Sequence, residues 1–208
     1  MQTNQNQNQN QNENLNLNLN QNQNQNLNTL DALNRFEQLA ETYIQELENY
    51  SLEELTRKPD EEQWSLGQMY VHLIKSALYR HLPIMEACRT SSGSDEAAGK
   101  TESGVEAYAR GSYPPIRIQV PPSKEYTPLQ PESKEQLSDG LRDVIRAMRA
   151  IQPVLADIPP AHTVEHPGFG GLNAVEWFSL VEMHYRHHLR QKERLDAFLR
   201  ETKEAAEA

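Results

Sequence analysis

Three histidines carry the chemistry that this sequence offers. His184 and His188 lie four residues apart in a segment of helical periodicity, and His72 lies in another such segment. Side chains four apart stand one above the other on a helix, so His184 and His188 can offer two imidazoles to one ion. A third imidazole from a neighbouring helix would complete a facial three-nitrogen site, with positions left for water or substrate. Nitrogen ligands suit zinc, nickel or a similar borderline divalent ion better than magnesium or calcium, which prefer oxygen. The plainer reading is a set of core histidines, hydrogen-bonded to tyrosines or backbone carbonyls. Spacing alone leaves both open.

The remaining candidates sort by position. At 100° per residue, His184, His188, Trp177, Leu180, Val181 and Leu195 share one apolar arc, while Glu182, Arg186 and Arg190 lie towards the opposite side. Gln191 follows His188 on the same arc and can orient a ligand imidazole or a bound water. His187 falls at the rim of the arc. His81 lies on the far side of its helix from His72 and is expected to be structural. His162 and His166 belong to a loop, from which His166 could approach the mouth of the site. Cys88, the only cysteine, reads as a packing residue and excludes an intrachain disulfide. Gly168-Phe169-Gly170-Gly171 reads as a tight turn, not a nucleotide loop. No carboxylate is placed clearly enough to be named a general base.

Four amphipathic segments must position these groups. The first runs from about Thr29 to Tyr50, with Leu30, Leu33, Phe36, Ala40, Tyr43, Ile44 and Leu47 at helical steps. The second opens at Trp64-Ser65-Leu66-Gly67-Gln68, where Ser65 and Gln68 have capping-box spacing, and runs to Met85 or Cys88, with Pro83 expected to kink it. The third follows Pro131, with Ser133 and Gln136 as a second box, and ends before Pro159-Pro160. The fourth starts near Asn173 and is expected to fray after Arg200. With no convincing strands, the pattern predicts an all-α, antiparallel four-helix bundle. The long connection from about Arg89 to Glu132 is expected to be mobile over Ser91–Gly104. Its proline-studded second half, including Tyr113 and the Ile116, Ile118, Val120 alternation, is expected to border the site.

The expected domains are a disordered Gln/Asn-rich tail at 1–28, a bundle domain at 29–200 and a frayed tail at 201–208. The alternating Gln and Asn of the first segment bury too little apolar surface to offset the entropy of ordering them. An over-called start codon would equally account for that segment. The formal net charge of -10 works against a nucleic-acid partner. No signal peptide or membrane-spanning run is evident, so a cytoplasmic protein with a small-molecule substrate is expected. A homodimer is a candidate assembly, because helical bundles with an exposed apolar edge commonly pair.

Three stretches together resemble the DinB-like superfamily, which includes DNA-damage-inducible DinB proteins and YfiT-like metal-dependent hydrolases. They are Trp64-Ser65-Leu66-Gly67-Gln68-Met69-Tyr70-Val71-His72-Leu73, then His166 to Trp177, then His184-Tyr185-Arg186-His187-His188-Leu189-Arg190-Gln191. The likeness covers residues 29–200; the Gln/Asn tail and the Ser91–Gly104 insertion depart from it. It implies a four-helix bundle holding a divalent metal through His72, His184 and His188. Related members include low-molecular-weight thiol transferases and a mycothiol-dependent isomerase. The resemblance therefore implies a metal-dependent enzyme that activates a low-molecular-weight thiol for S-transfer, or water for hydrolysis. The alternative is a non-catalytic, metal-stabilised bundle that binds a small molecule or dimerises.

Overall fold

The computed structural model describes residues 28–90, 99–115 and 127–207. The tail lies outside these residues except for Asn28, which already belongs to the first helix, α1, at 28–47. Phe36, Ala40, Tyr43, Ile44 and Leu47 on α1 are buried, whereas Leu30 faces solvent. The chain turns at 48–49, short of the predicted end, and enters a short helix α2, Leu52–Thr56, between the first two predicted helices. Its signal was Ser51 with Glu54, which form a complete capping box.

The second predicted helix is a composite rod: α3 (Leu66–Ser76), a π turn (Ala77–His81) and α4 (Leu82–Thr90). Ser65 and Gln68 form the expected reciprocal box at its start. The expected effect of Pro83 takes the form of the π turn, in which the Leu82 N–H reaches back to the Ala77 carbonyl. Proline has no N–H to give, and its ring crowds the carbonyl one turn back. Widening the preceding turn lets the helix continue to Thr90.

After it come α5 (Glu102–Arg110), α6 (Lys134–Ile151) with a 3-10 extension to Asp157, β1 (Thr163–His166), β2 (Gly170–Asn173) and α7 (Ala174–Glu207). Two of these correct the sequence reading. Helix α5 occupies part of the connection expected to be mobile; Thr101 caps it, and Gly111 ends it in a left-handed conformation. Residues 91–98 and the Ile116–Val120 alternation lie outside the described residues. The antiparallel hairpin β1–β2 replaces an expected loop, and Lys100 bridges to Gly170 at its edge. Gly170 has φ +76°, and a Cβ there would stand 2.6 Å from the Gly99 oxygen, so only glycine fits. Gly104 allows α5 to close on the hairpin turn, since a Cβ would meet the Phe169 oxygen.

The third helix keeps its Ser133 cap, but Gln136 returns its side chain to the Glu132 N–H, one residue earlier than a box requires. Asn173 and Glu176 make a reciprocal pair that launches α7. That helix continues to Glu207 instead of fraying after Arg200. Alanine and glutamate favour helix, and Leu199 still buries against the core.

The molecule is mostly helical, and α1, the α3–α4 rod, α6 and α7 share one core. Helix α3 packs against α6 and α7, and α4 against α7. Tyr43 on α1 donates to the Tyr185 carbonyl and Tyr70 donates to the Tyr43 carbonyl, both buried. Phe36, Tyr43, Tyr70 and Tyr185 meet edge to face. Burying a side chain such as Phe36 contributes roughly 1.5–3 kcal/mol, and each edge-to-face pair about 0.5–1.5 kcal/mol more. This aromatic layer fixes α7 against α1 and α3 and so sets where its histidines point. No described helix is long and apolar enough to cross a membrane.

Candidate metal centre

Helix α3 brings His72, and α7 brings His184 and His188, to one place. The Nε2 of His184 lies 3.1 Å from the Nε2 of His72 and 3.1 Å from that of His188. The three rings form a nearly equilateral triangle, with centroids 4.9, 4.9 and 4.7 Å apart. Among the described residues this is the group with metal-holding geometry, its ligand atoms all within 4.8 Å of one another. Two nitrogens bound to zinc at its usual distance stand about 3.4 Å apart in a tetrahedron and about 2.9 Å apart at an octahedral right angle. The two separations from His184 fall between these, so an ion fits beside it with shifts of a few tenths of an ångström.

The electrostatics agree. Burial, then Arg80, holds the His72 imidazolium down at about 4, and burial, then His72, holds that of His188 at about 3. Burial also pushes His184 well below its ordinary value. All three rings are therefore neutral at neutral pH, as metal ligands must be. His184 Nε2 has one proton or one lone pair and cannot satisfy two facing nitrogens, whereas a cation between them satisfies all three. His188 donates from Nδ1 to the Gln191 Oε1 at 2.8 Å, which leaves its Nε2 lone pair facing the cluster. His184 is half-buried as a residue, and its Nδ1 is buried with no hydrogen-bond partner among the described residues.

The site has aromatic walls. Trp64, just ahead of the Ser65 cap, lies 4.9 Å from His72. Tyr113, just beyond α5, lies 5.9 Å from His184 and 5.1 Å from His187. Of the expected Tyr113–Val120 wall, residues 113–115 are among those described. Helix α5 holds Tyr113 there: Tyr108 donates to the Glu176 carbonyl, and Arg186 donates to the Gly111 carbonyl while forking onto Glu182. Glu182, expected opposite the histidine arc, is buried and paired with Arg186.

The other histidines divide. His187 lies at the rim, as its offset predicts. His166 accepts the Gly168 and Phe169 N–H groups on Nδ1 and stacks on Phe169, so it is committed to the hairpin turn and is not a member of the triad. His162 Nδ1 meets the Cys88 carbonyl at 3.0 Å. Cys88 is buried, and burial raises its thiol to about 11, which fits packing and not attack. His81 is the residue that sequence reasoning misplaced. Nine positions from His72 is about 180° of α-helix, but the π turn takes back about 100°. His81 is thereby buried 5.4 Å from His184 and 5.8 Å from Trp177.

A cavity of about 440 Å³ lies elsewhere on α7, bordered by Tyr50, Glu54, Asp196 and Arg200, and shares no lining residue with the triad. Volume alone points there. The unsatisfied nitrogens point to the triad, and they are the stronger signal for chemistry.

A mostly helical protein with three converged, neutral imidazoles at the junction of two helices is of a class equipped to hold a divalent ion. The chain belongs to the DinB superfamily, whose family model matches residues 35–192. Comparison with curated proteins gives no match.

Proposed function

We propose that this protein is a divalent-metal-dependent enzyme acting on a small molecule, with His72, His184 and His188 as the ligands. The observation that carries the reading is the convergence of three Nε2 atoms, one of them backed by Gln191, with no carboxylate in the set. An all-imidazole set favours zinc or nickel. Such an ion supplies Lewis acidity, which makes a thiol or water at its free positions a nucleophile at neutral pH. The protein's own part is to hold the three rings neutral and aimed, with Gln191 fixing the tautomer of His188. Trp64 and Tyr113 flank the cluster with aromatic surface that excludes water and seats an apolar part of the substrate. A low-molecular-weight thiol is the proposed cosubstrate for S-transfer; hydrolysis uses the same ligands. The four long helical stretches are proposed to run antiparallel, as the family resemblance implies.

Elemental analysis of untagged protein, with His72→Ala as control, tests the reading. The expected result is about one zinc or nickel per chain, lost in the variant, with metal-dependent consumption of a thiol and a model electrophile. Metal without turnover of thiol, ester or amide would leave a metal-stabilised binding module. Equal metal content in both proteins would refute the ligand set.

A further inference from the structure

Two imidazole nitrogens in the described residues are buried without a hydrogen-bond partner: Nδ1 of His184 and Nδ1 of His81. They belong to rings in contact, 5.4 Å apart and inclined at 72°. His81 is 4 % exposed, so bulk water does not serve it. It occupies this position only because the π turn at Ala77–His81 rotates it inward, a geometry frequent at functional sites.

The orphan pair acquires a meaning once His184 is a ligand, and the inference rests on that reading. A histidine that binds through Nε2 carries its ring proton on Nδ1, and this N–H almost always has an acceptor that sets the ring's orientation. His188 has such an acceptor in Gln191. His184 has none directly. The contacting ring offers an acceptor of the right kind: the unpaired Nδ1 of His81, whose lone pair is available when His81 keeps its own proton on Nε2. We infer that His81 is the positioning residue for His184, taking the His184 Nδ1–H through a single buried water bridging the two rings. Both nitrogens are buried and unpaired on neighbouring rings, and a bridging water would give each its missing partner. Gln191 and His81 would then be equivalent supports for the two α7 ligands, one offered from α7 itself and one from the π turn across from it.

The test measures zinc affinity of the full chain by chelator competition, together with the visible spectrum of the cobalt-substituted protein. His81→Phe keeps an aromatic ring and removes the acceptor; about 10–100-fold weaker zinc binding and shifted cobalt bands are expected. His81→Asn places an oxygen near the former Nδ1 and is expected to restore most of the affinity and the native spectrum. His81→Gln reaches instead to the Nε2 position and is expected to lose affinity as Phe does, which covers the case of a Phe variant that does not fold. Zinc held by His81→Phe or His81→Gln as tightly as by wild type, while His184→Ala loses it, would overturn the inference and leave the metal reading intact. Equal losses in the Asn, Gln and Phe variants would overturn it in favour of simple packing. A wild type that binds no more zinc than His184→Ala would remove the metal reading itself, and this inference with it.

Discussion

Helix α7 buries two polar clusters one turn apart, and they are resolved in opposite ways. Lys192 is 5 % exposed, and its ammonium meets Glu46 and Asp196 at 2.8 Å and the Tyr50 hydroxyl at 3.0 Å. Tyr50 in turn donates to Asp196. Three donor positions find three acceptors. Burial alone would lower the Lys192 pKa, but its bonds to Asp196, Glu46 and Tyr50 outweigh that and raise it. The histidine cluster, one turn back, places lone-pair-bearing nitrogens face to face and leaves ring nitrogens unpaired. A saturated buried network locks helices together. An unsaturated one is costly unless something else completes it.

The largest effect should come from the unsaturated cluster. His184→Ala or His188→Ala is expected to abolish stoichiometric metal binding while circular dichroism shows helix content largely retained. Metal kept by both variants would erase the distinction between the clusters. Acidification of the metal-free protein should come next. His72, His81 and His166 are held at about 4, 3 and 4, below the ordinary 6.5, mainly by burial. Between those values the unfolded chain binds more protons than the folded one, so stability is full above about pH 6.5 and falls as pH drops towards 4. Denaturant titrations at pH 7, 6 and 5 check this; a flat profile would show the rings are not sequestered as described.

Lys192→Met should behave in the reverse sense to the histidine variants. It leaves Glu46 and Asp196 facing an apolar group and should cost about 2 kcal/mol of stability, discounted because both carboxylates are partly solvated. Zinc affinity of the folded variant should match wild type, and a loss there would couple the two clusters. Gln191→Leu is the smallest and most diagnostic change, expected to weaken zinc binding about tenfold with little change in the melting of the metal-free chain.

Much of this was legible in the residues. The caps Ser65/Gln68 and Asn173/Glu176 mark the starts of the two helices that carry the triad, and the four-residue step from His184 to His188 gives their common direction. Gln191 followed from the same arithmetic. What failed did so for local reasons. Helix α5 is one short amphipathic piece in a polar stretch, visible only through Thr101 and Gly111 at its ends. The hairpin strands have four residues each, too few for alternation to register. A helical projection puts Glu182 opposite the histidines but takes no account of its neighbours, and Glu182 is buried with Arg186 forked onto it. His81 departs from its projected side because the π turn breaks the constant rotation of the helix. Its signature was present: Met69, Leu73, Ala77, His81 and Met85, all buried, recur at steps of four. Each step drifts about 40° on an α-helix, about 160° over the series, and a single wide turn takes up most of that.

That turn makes the α3–α4 rod resemble two screws of equal pitch joined with a phase step at Ala77–His81. His72 is cut into one screw and His81 ends the step that begins the other. A residue inserted or removed upstream, between Leu66 and His72, would swing the cap and its anchoring loop against the triad by about 100°. The same change beyond Leu82 would turn only Met85 and Cys88 out of the core. The join thus acts as a mechanical clutch, confining errors of helical phase to one side of the site.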